Sequence, residues 1–143
     1  SADADVRTGI DRAINDNEVC DVNPFGVTGL IAAYTGGESW LEALMDYLDG
    51  NYRWLADFFR RELPFLPFSV LEATYLFWVD VRSVGMQSQE LEELLVDECG
   101  VWLNAGAMYG DDGYMRINFA CPRRRLEEAM RRIAPVLKAL HAG

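Results

Sequence analysis

One arginine stands inside a run that reads as a short strand, Tyr114-Met115-Arg116-Ile117-Asn118-Phe119. It is entered from the glycine-rich turn Tyr109-Gly110-Asp111-Asp112-Gly113 and left through Ala120-Cys121-Pro122-Arg123. Successive strand side chains point to opposite faces, so Met115, Ile117 and Phe119 share one face and Tyr114, Arg116 and Asn118 the other. The guanidinium therefore stands opposite the apolar face. Its rigid planar fork of donors matches a carboxylate at two points, which an ammonium group does not. An arginine placed this way can hold the anionic group of a small ligand. A solvated arginine on a half-buried strand has the same local pattern, so its surroundings decide between the two.

Other residue types capable of chemistry are sparse. His141 is the only histidine, which excludes a His-based triad or a multi-His metal site within these residues. It is expected to fray near the chain end. Cys20, Cys99 and Cys121 fall at wide, irregular spacing that suits neither a disulfide framework nor a zinc knuckle, and they are expected to be buried or idle thiols. Lys138 is the only lysine and reads as a solvated surface charge. No residue is assigned to a metal.

The 143 residues carry 13 Lys and Arg against 23 Asp and Glu, a net charge of -10. That balance opposes phosphate backbones and anionic lipid, so neither nucleic acid nor membrane is an expected partner. No run approaches the roughly 18 apolar residues of a membrane helix, and the acidic start Ser1-Ala2-Asp3-Ala4-Asp5 is unlike a secretory signal. The expected location is the cytoplasm. Half the residues are apolar, enough for one domain with a real core. Ser1 opens without methionine, and the chain is expected to be a piece of a longer protein.

The elements that position the arginine follow from periodicity. Val6, Ile10, Ala13 and Ile14 predict a short helix over Val6 to Val19. Asn23-Pro24 predicts a cap and first helical position, opening a helix that stops at Gly36-Gly37. From about Glu38 to Leu63, Leu41, Leu44, Leu48, Tyr52, Leu55 and Phe59 form one stripe and Trp40, Tyr47 and Trp54 a second, which predicts a long helix with a broad buried face. Pro64 to Pro67 ends it. Thr74 to Val81 predicts a central strand, Ser88 the cap of a following helix ended by Gly100, and Val101 to Leu103 a second strand. A last helix starts near Pro122. These elements predict a two-layer α+β domain, with a short, mostly antiparallel sheet of about three strands covered by helices and preceded by the long helix. The boundary is placed at Gly36-Gly37, separating residues 1–36 from 37–143.

Asn23-Pro24-Phe25-Gly26, Gly37-Glu38-Ser39-Trp40-Leu41, Tyr47-Leu48 with Asn51, Thr74 to Asp80, and Tyr109-Gly110 through Arg116 to Arg123 together resemble, in order, the C-terminal part of fold-type-I pyridoxal-phosphate enzymes. Within the class I/II aminotransferase superfamily the resemblance is to the cystathionine β-lyase-like carbon–sulfur lyases, and it covers about Arg7 to Leu137. Ala73 and Tyr109 depart from it, standing where glycine and phenylalanine are usual. The resemblance implies that residues 37–143 are the C-terminal small domain, that residues 1–36 are a remnant of the larger cofactor domain and linker helix, and that Arg116 grips the substrate α-carboxylate. It also implies an amino-acid substrate, a homodimeric parent with pyridoxal 5'-phosphate, and β-elimination to pyruvate, ammonia and a thiol.

The lysine that would form the Schiff base is not matched by any residue here, so no catalytic residue and no cofactor-binding residue is assigned. No bound cofactor and no activity are expected of these residues alone. A true aminotransferase uses Arg116 in the same way and is the alternative within the superfamily. The alternative of another class is a non-catalytic acidic protein-binding module. Residues 22–34, with Val22, Phe25, Leu30, Ile31 and Tyr34, are expected to drive self-association of the piece.

Overall fold

The computed structural model describes residues 3–16 and 23–142, and the chain divides into two units, residues 1–43 and 44–143. In the first unit, α1 (Ala4–Asn15) is capped by Asp3, whose carboxylate accepts the Asp5 and Val6 amides at 2.8 and 3.1 Å. The helix ends earlier than its periodicity predicts, and Val19, Cys20 and Val22 lie outside the described residues. Helix α2 (Pro24–Gly36) begins as predicted. Pro24 contributes a preset φ and no surplus donor, while the Asn23 side chain accepts the Gly26 amide at 2.8 Å. No residue of α1 or α2 is buried.

Helix α3 (Glu38–Glu62) continues from the first unit into the second. Its two stripes do not form one broad buried face. Trp40 and Leu41 are exposed, as is Tyr47, and full burial is confined to Asn51, Leu55, Ala56 and Phe59. Periodicity shows which residues share a side of a helix, but not how far along the helix a partner layer extends.

The rest of the second unit is β1 (Leu76–Asp80), α4 (Ser88–Cys99), β2 (Asn104–Ala105), β3 (Tyr114–Asn118) and α5 (Arg123–Ala142). The three strands are antiparallel in the order β1-β3-β2, with Trp78 and Asn104 both opposite Arg116. The arginine strand is thus the central one. The Thr74 to Val81 segment, expected at the centre, is an edge strand whose outer side is met by a single bridge from Phe68 to Val79. Its aromatic content on both faces has a different cause: Phe77 and Val79 enter the core, whereas Trp78 lies on the outer face and stacks on Tyr114 at 5.4 Å. The predicted strand at Val101 to Leu103 is also displaced. Pairing begins only at Asn104, because the Val101 amide is spent on the Leu95 carbonyl where α4 closes at left-handed Gly100 (φ 61°).

Leu55 and Phe59 of α3, Leu91 and Leu95 of α4, and Met130, Ile133 and Leu137 of α5 are buried with Phe77, Val79, Met115 and Ile117 in one core. Burying each such side chain stabilises by about 1.5–3 kcal/mol. The predicted two-layer α+β domain is therefore present, with Met115, Ile117 and Phe119 inside and Tyr114, Arg116 and Asn118 on the opposite face.

Candidate functional site around Arg116

Arg116 occupies the middle of the central strand, on the face opposite the core that α4 and α5 cover. Its Nη2 donates to Asn104 Oδ1 at 2.9 Å, and its guanidinium carbon lies 4.5 Å from the centre of the Tyr109 ring. Trp78, opposite Arg116 in the ladder, meets Tyr109 edge-on at 5.9 Å and stacks on Tyr114 at 5.4 Å, so the ring beneath the cation is part of an aromatic cluster. Arg116 Nε is buried and has no hydrogen-bond partner among the described residues. No ion pair among those residues involves Arg116. A buried donor left unpaired costs about 1–3 kcal/mol, more on a charged group, so its retention marks a place where an anion would be stabilised.

The turn between β2 and β3 is held from α4. Ser88 was expected to cap that helix, but it is the first helical residue and is fully buried, while the side chain of Gln87 at the cap position makes no capping bond. The cap comes from 24 residues downstream: Asp112 Oδ1 accepts the Ser88 amide at 2.9 Å and its hydroxyl at 2.6 Å. Ser88 Oγ in turn accepts the Ala107 amide at 3.2 Å. Glu92 takes the Ala105 amide at 2.5 Å and the Trp102 indole at 2.8 Å. Gly106 is buried here, and a Cβ at this position would collide with the carbonyl oxygens of Asp111 and Tyr114, so the turn requires glycine. These contacts fix the residues flanking Asn104 and Tyr109, neither of which carries a local sign that it meets Arg116. Asn104 is recognisable only once the strand register is known.

A second anchor holds the exit of β3. Asn51 is completely buried; its amide donates to the carbonyls of Phe119 and Cys121, each at 2.9 Å, and its Oδ1 accepts Arg123 Nε at 2.8 Å. The Tyr47 hydroxyl accepts the Arg123 amide at 2.7 Å. The spaced Tyr47 and Asn51 are therefore structural, tying α3 to the end of the arginine strand and the start of α5.

The remaining reactive side chains stay apart from this face. Lys138 pairs with Glu62 at 2.7 Å, and that contact holds the Glu62 carboxyl below its usual range. His141 does not fray. It stacks on Phe65 at 4.0 Å, with Nδ1 3.1 Å from the Ser83 carbonyl oxygen. Burial pushes the Cys99 and Cys121 thiols up, away from the reactive thiolate. A groove of about 880 Å³ runs between Trp102 and the first turns of α5, and Arg116 does not line it. Among the described residues, no cluster could hold a metal ion and no helix is long and apolar enough to cross a membrane.

The chain is 32% identical over 133 residues to the cystathionine beta-lyase PatB of Bacillus subtilis, covering 92% of this chain and 34% of PatB. It is 34% identical over 118 residues to MalY of Escherichia coli, covering 81% and 30%. Among solved structures, the PLP-bound C-S lyase of Staphylococcus hominis superposes with a TM-score of 0.79 at 32% identity, covering 88% of this chain and 34% of that one. Cystalysin from Treponema denticola, which contains pyridoxal 5'-phosphate, gives 0.80 at 28% identity, covering 97% and 36%. The chain thus spans about a third of the length of the curated relatives it matches. A family profile described as aminotransferase class I and II matches residues 15–133, and with these relatives it shows that the chain belongs to the class I and II aminotransferase family.

Proposed function

We propose that this chain is the substrate-gripping part of a pyridoxal-phosphate-dependent carbon–sulfur lyase acting on amino acids, and that Arg116 binds the substrate α-carboxylate. The observation that carries the reading is the buried, unpaired Nε of Arg116, on a cation that no carboxylate of the described residues neutralises. The names of the relatives support elimination over amino transfer, since cystathionine beta-lyases and C-S lyases stand among them.

The residues present do not fit the cofactor itself. The only lysine, Lys138, is exposed and paired with Glu62, on the helix layer rather than on the arginine's face. No step through the cofactor is therefore assigned to these residues. What they supply is orientation. A carboxylate held at two points fixes the rotation of the substrate about its Cα–N bond, and so the direction of the Cα–H bond that must break; orientation of this kind can take several kcal/mol off the barrier, within the roughly 7–11 kcal/mol available to full pre-orientation.

The test is an assay of the full-length protein for pyruvate and thiol release from a thioether amino acid, alongside amino transfer to a keto acid. Release of pyruvate and thiol is expected, with a loss of about 100- to 1000-fold in kcat/KM on Arg116→Ala, corresponding to two lost charge-assisted hydrogen bonds. Amino transfer alone would replace the lyase reading with the transaminase one. An Arg116→Ala enzyme with unchanged KM and kcat would remove the carboxylate assignment. The 143 residues alone are expected to release neither product.

A further inference from the structure

We propose that Asn104 is a positioning residue that aims the Arg116 fork while leaving its charge free for the ligand. The inference rests on the carboxylate reading and names the device behind it. The two residues face each other across the β2–β3 ladder, and the amide oxygen of Asn104 accepts one Nη2 hydrogen at 2.9 Å. A carboxylate at that register position would be nearly the same shape and would make a shorter, stronger bond. It would also neutralise the cation, and an incoming carboxylate would then have to displace an internal ion pair.

The surroundings follow the same rule. The Tyr109 ring and the Trp78 side chain next to Arg116 carry no formal charge. Acids on the flanking segments are committed elsewhere: Asp112 to Ser88, Glu92 to Ala105 and Trp102, Asp111 to the Gly113 amide, and Asp80 to Arg82. Asn104 is itself held in place, because Glu92 fixes the neighbouring Ala105 amide.

The test compares Asn104→Asp, Asn104→Ser and Asn104→Ala in the full-length protein, with the substrate and its carboxamide analogue as paired ligands. Asn104→Asp is expected to raise KM for the acid by about 30-fold or more with kcat little changed, and to leave carboxamide binding within about threefold. Asn104→Ser, which keeps a neutral acceptor, should stay within about threefold of wild type, and Asn104→Ala should fall between the two. A purely structural asparagine would lower both ligands together. Equal acid binding by Asn104→Asp and wild type, alongside a damaged Arg116→Ala, overturns this inference alone; an undamaged Arg116→Ala overturns the carboxylate reading beneath it. If Asn104→Asp fails to fold, the serine and alanine pair decides: a difference confined to the acid ligand supports the proposal, and matching values for both ligands defeat it.

Discussion

Arg82 and Arg116 show how one side chain takes opposite roles on a single sheet face. Arg82 is mostly exposed and grips the Asp80 carboxylate, donating from Nε at 3.0 Å and from Nη2. That hydrogen bond holds the Asp80 carboxyl below its ordinary range despite desolvation, and Asp80 holds the Arg82 guanidinium up in turn. The sign for stability follows. A carboxyl with a depressed folded pKa stabilises above its unfolded value of about 3.9 and loses that contribution as pH falls through the folded value. Asp80→Asn is therefore expected to unfold at lower urea than wild type at pH 7, with the difference shrinking below about pH 4. Solvent screening at Arg82 keeps the effect small. A difference that stays constant from pH 7 to pH 3 would contradict this account. Arg116 has no such partner, and its pairing capacity remains available.

The elements hold that residue through contacts far apart in sequence. Asn51 on α3 satisfies two carbonyls at the end of β3 and one guanidinium hydrogen of Arg123, all from a completely buried position. Removing the amide leaves acceptors and a donor unpaired where water is excluded. Asn51→Ala is expected to cost about 2–4 kcal/mol in urea unfolding, and Asn51→Leu should recover little, because shape alone does not restore the bonds. A loss below about 0.5 kcal/mol would show that water replaces the side chain. Asp112 plays the corresponding part at the other end, capping α4 while setting the turn that carries Tyr109. The arginine strand is thus clamped at its entry by α4 and at its exit by α3.

For the whole molecule, burial is concentrated in residues 44–143. Among the described residues the core comes from Leu55 to Leu137, whereas no residue of α1 or α2 is fully buried. A helix of 12 or 13 residues with no side chain fully buried is marginal in water. Hydrogen exchange should therefore find amides of α1 and α2 exchanging near the unprotected rate at low concentration, and those of β3 and the C-terminal half of α3 among the slowest. Phe25, Leu30, Ile31 and Tyr34 on α2 are exposed, and we propose that they drive self-association of this chain. Protection of α2 that rises with protein concentration is the expected sign; protection independent of concentration would remove that proposal.

Much of this was legible in the chain itself. Alternation from Tyr114 to Phe119 placed Arg116 opposite the core, Asn23-Pro24 marked the start of α2, and Gly100 marked the end of α4. Each depends on backbone geometry within a few residues, which side-chain type controls directly. Tertiary structure decided the rest. Which strand is central, how far along α3 the core reaches, that Asp112 rather than Ser88 caps α4, and that a neutral Asn104 sits beside the cation all depend on residues 12 to 70 positions apart. Hydrogen bonds and packing between distant segments leave no periodic trace along the chain, so only the folded register could bring them together.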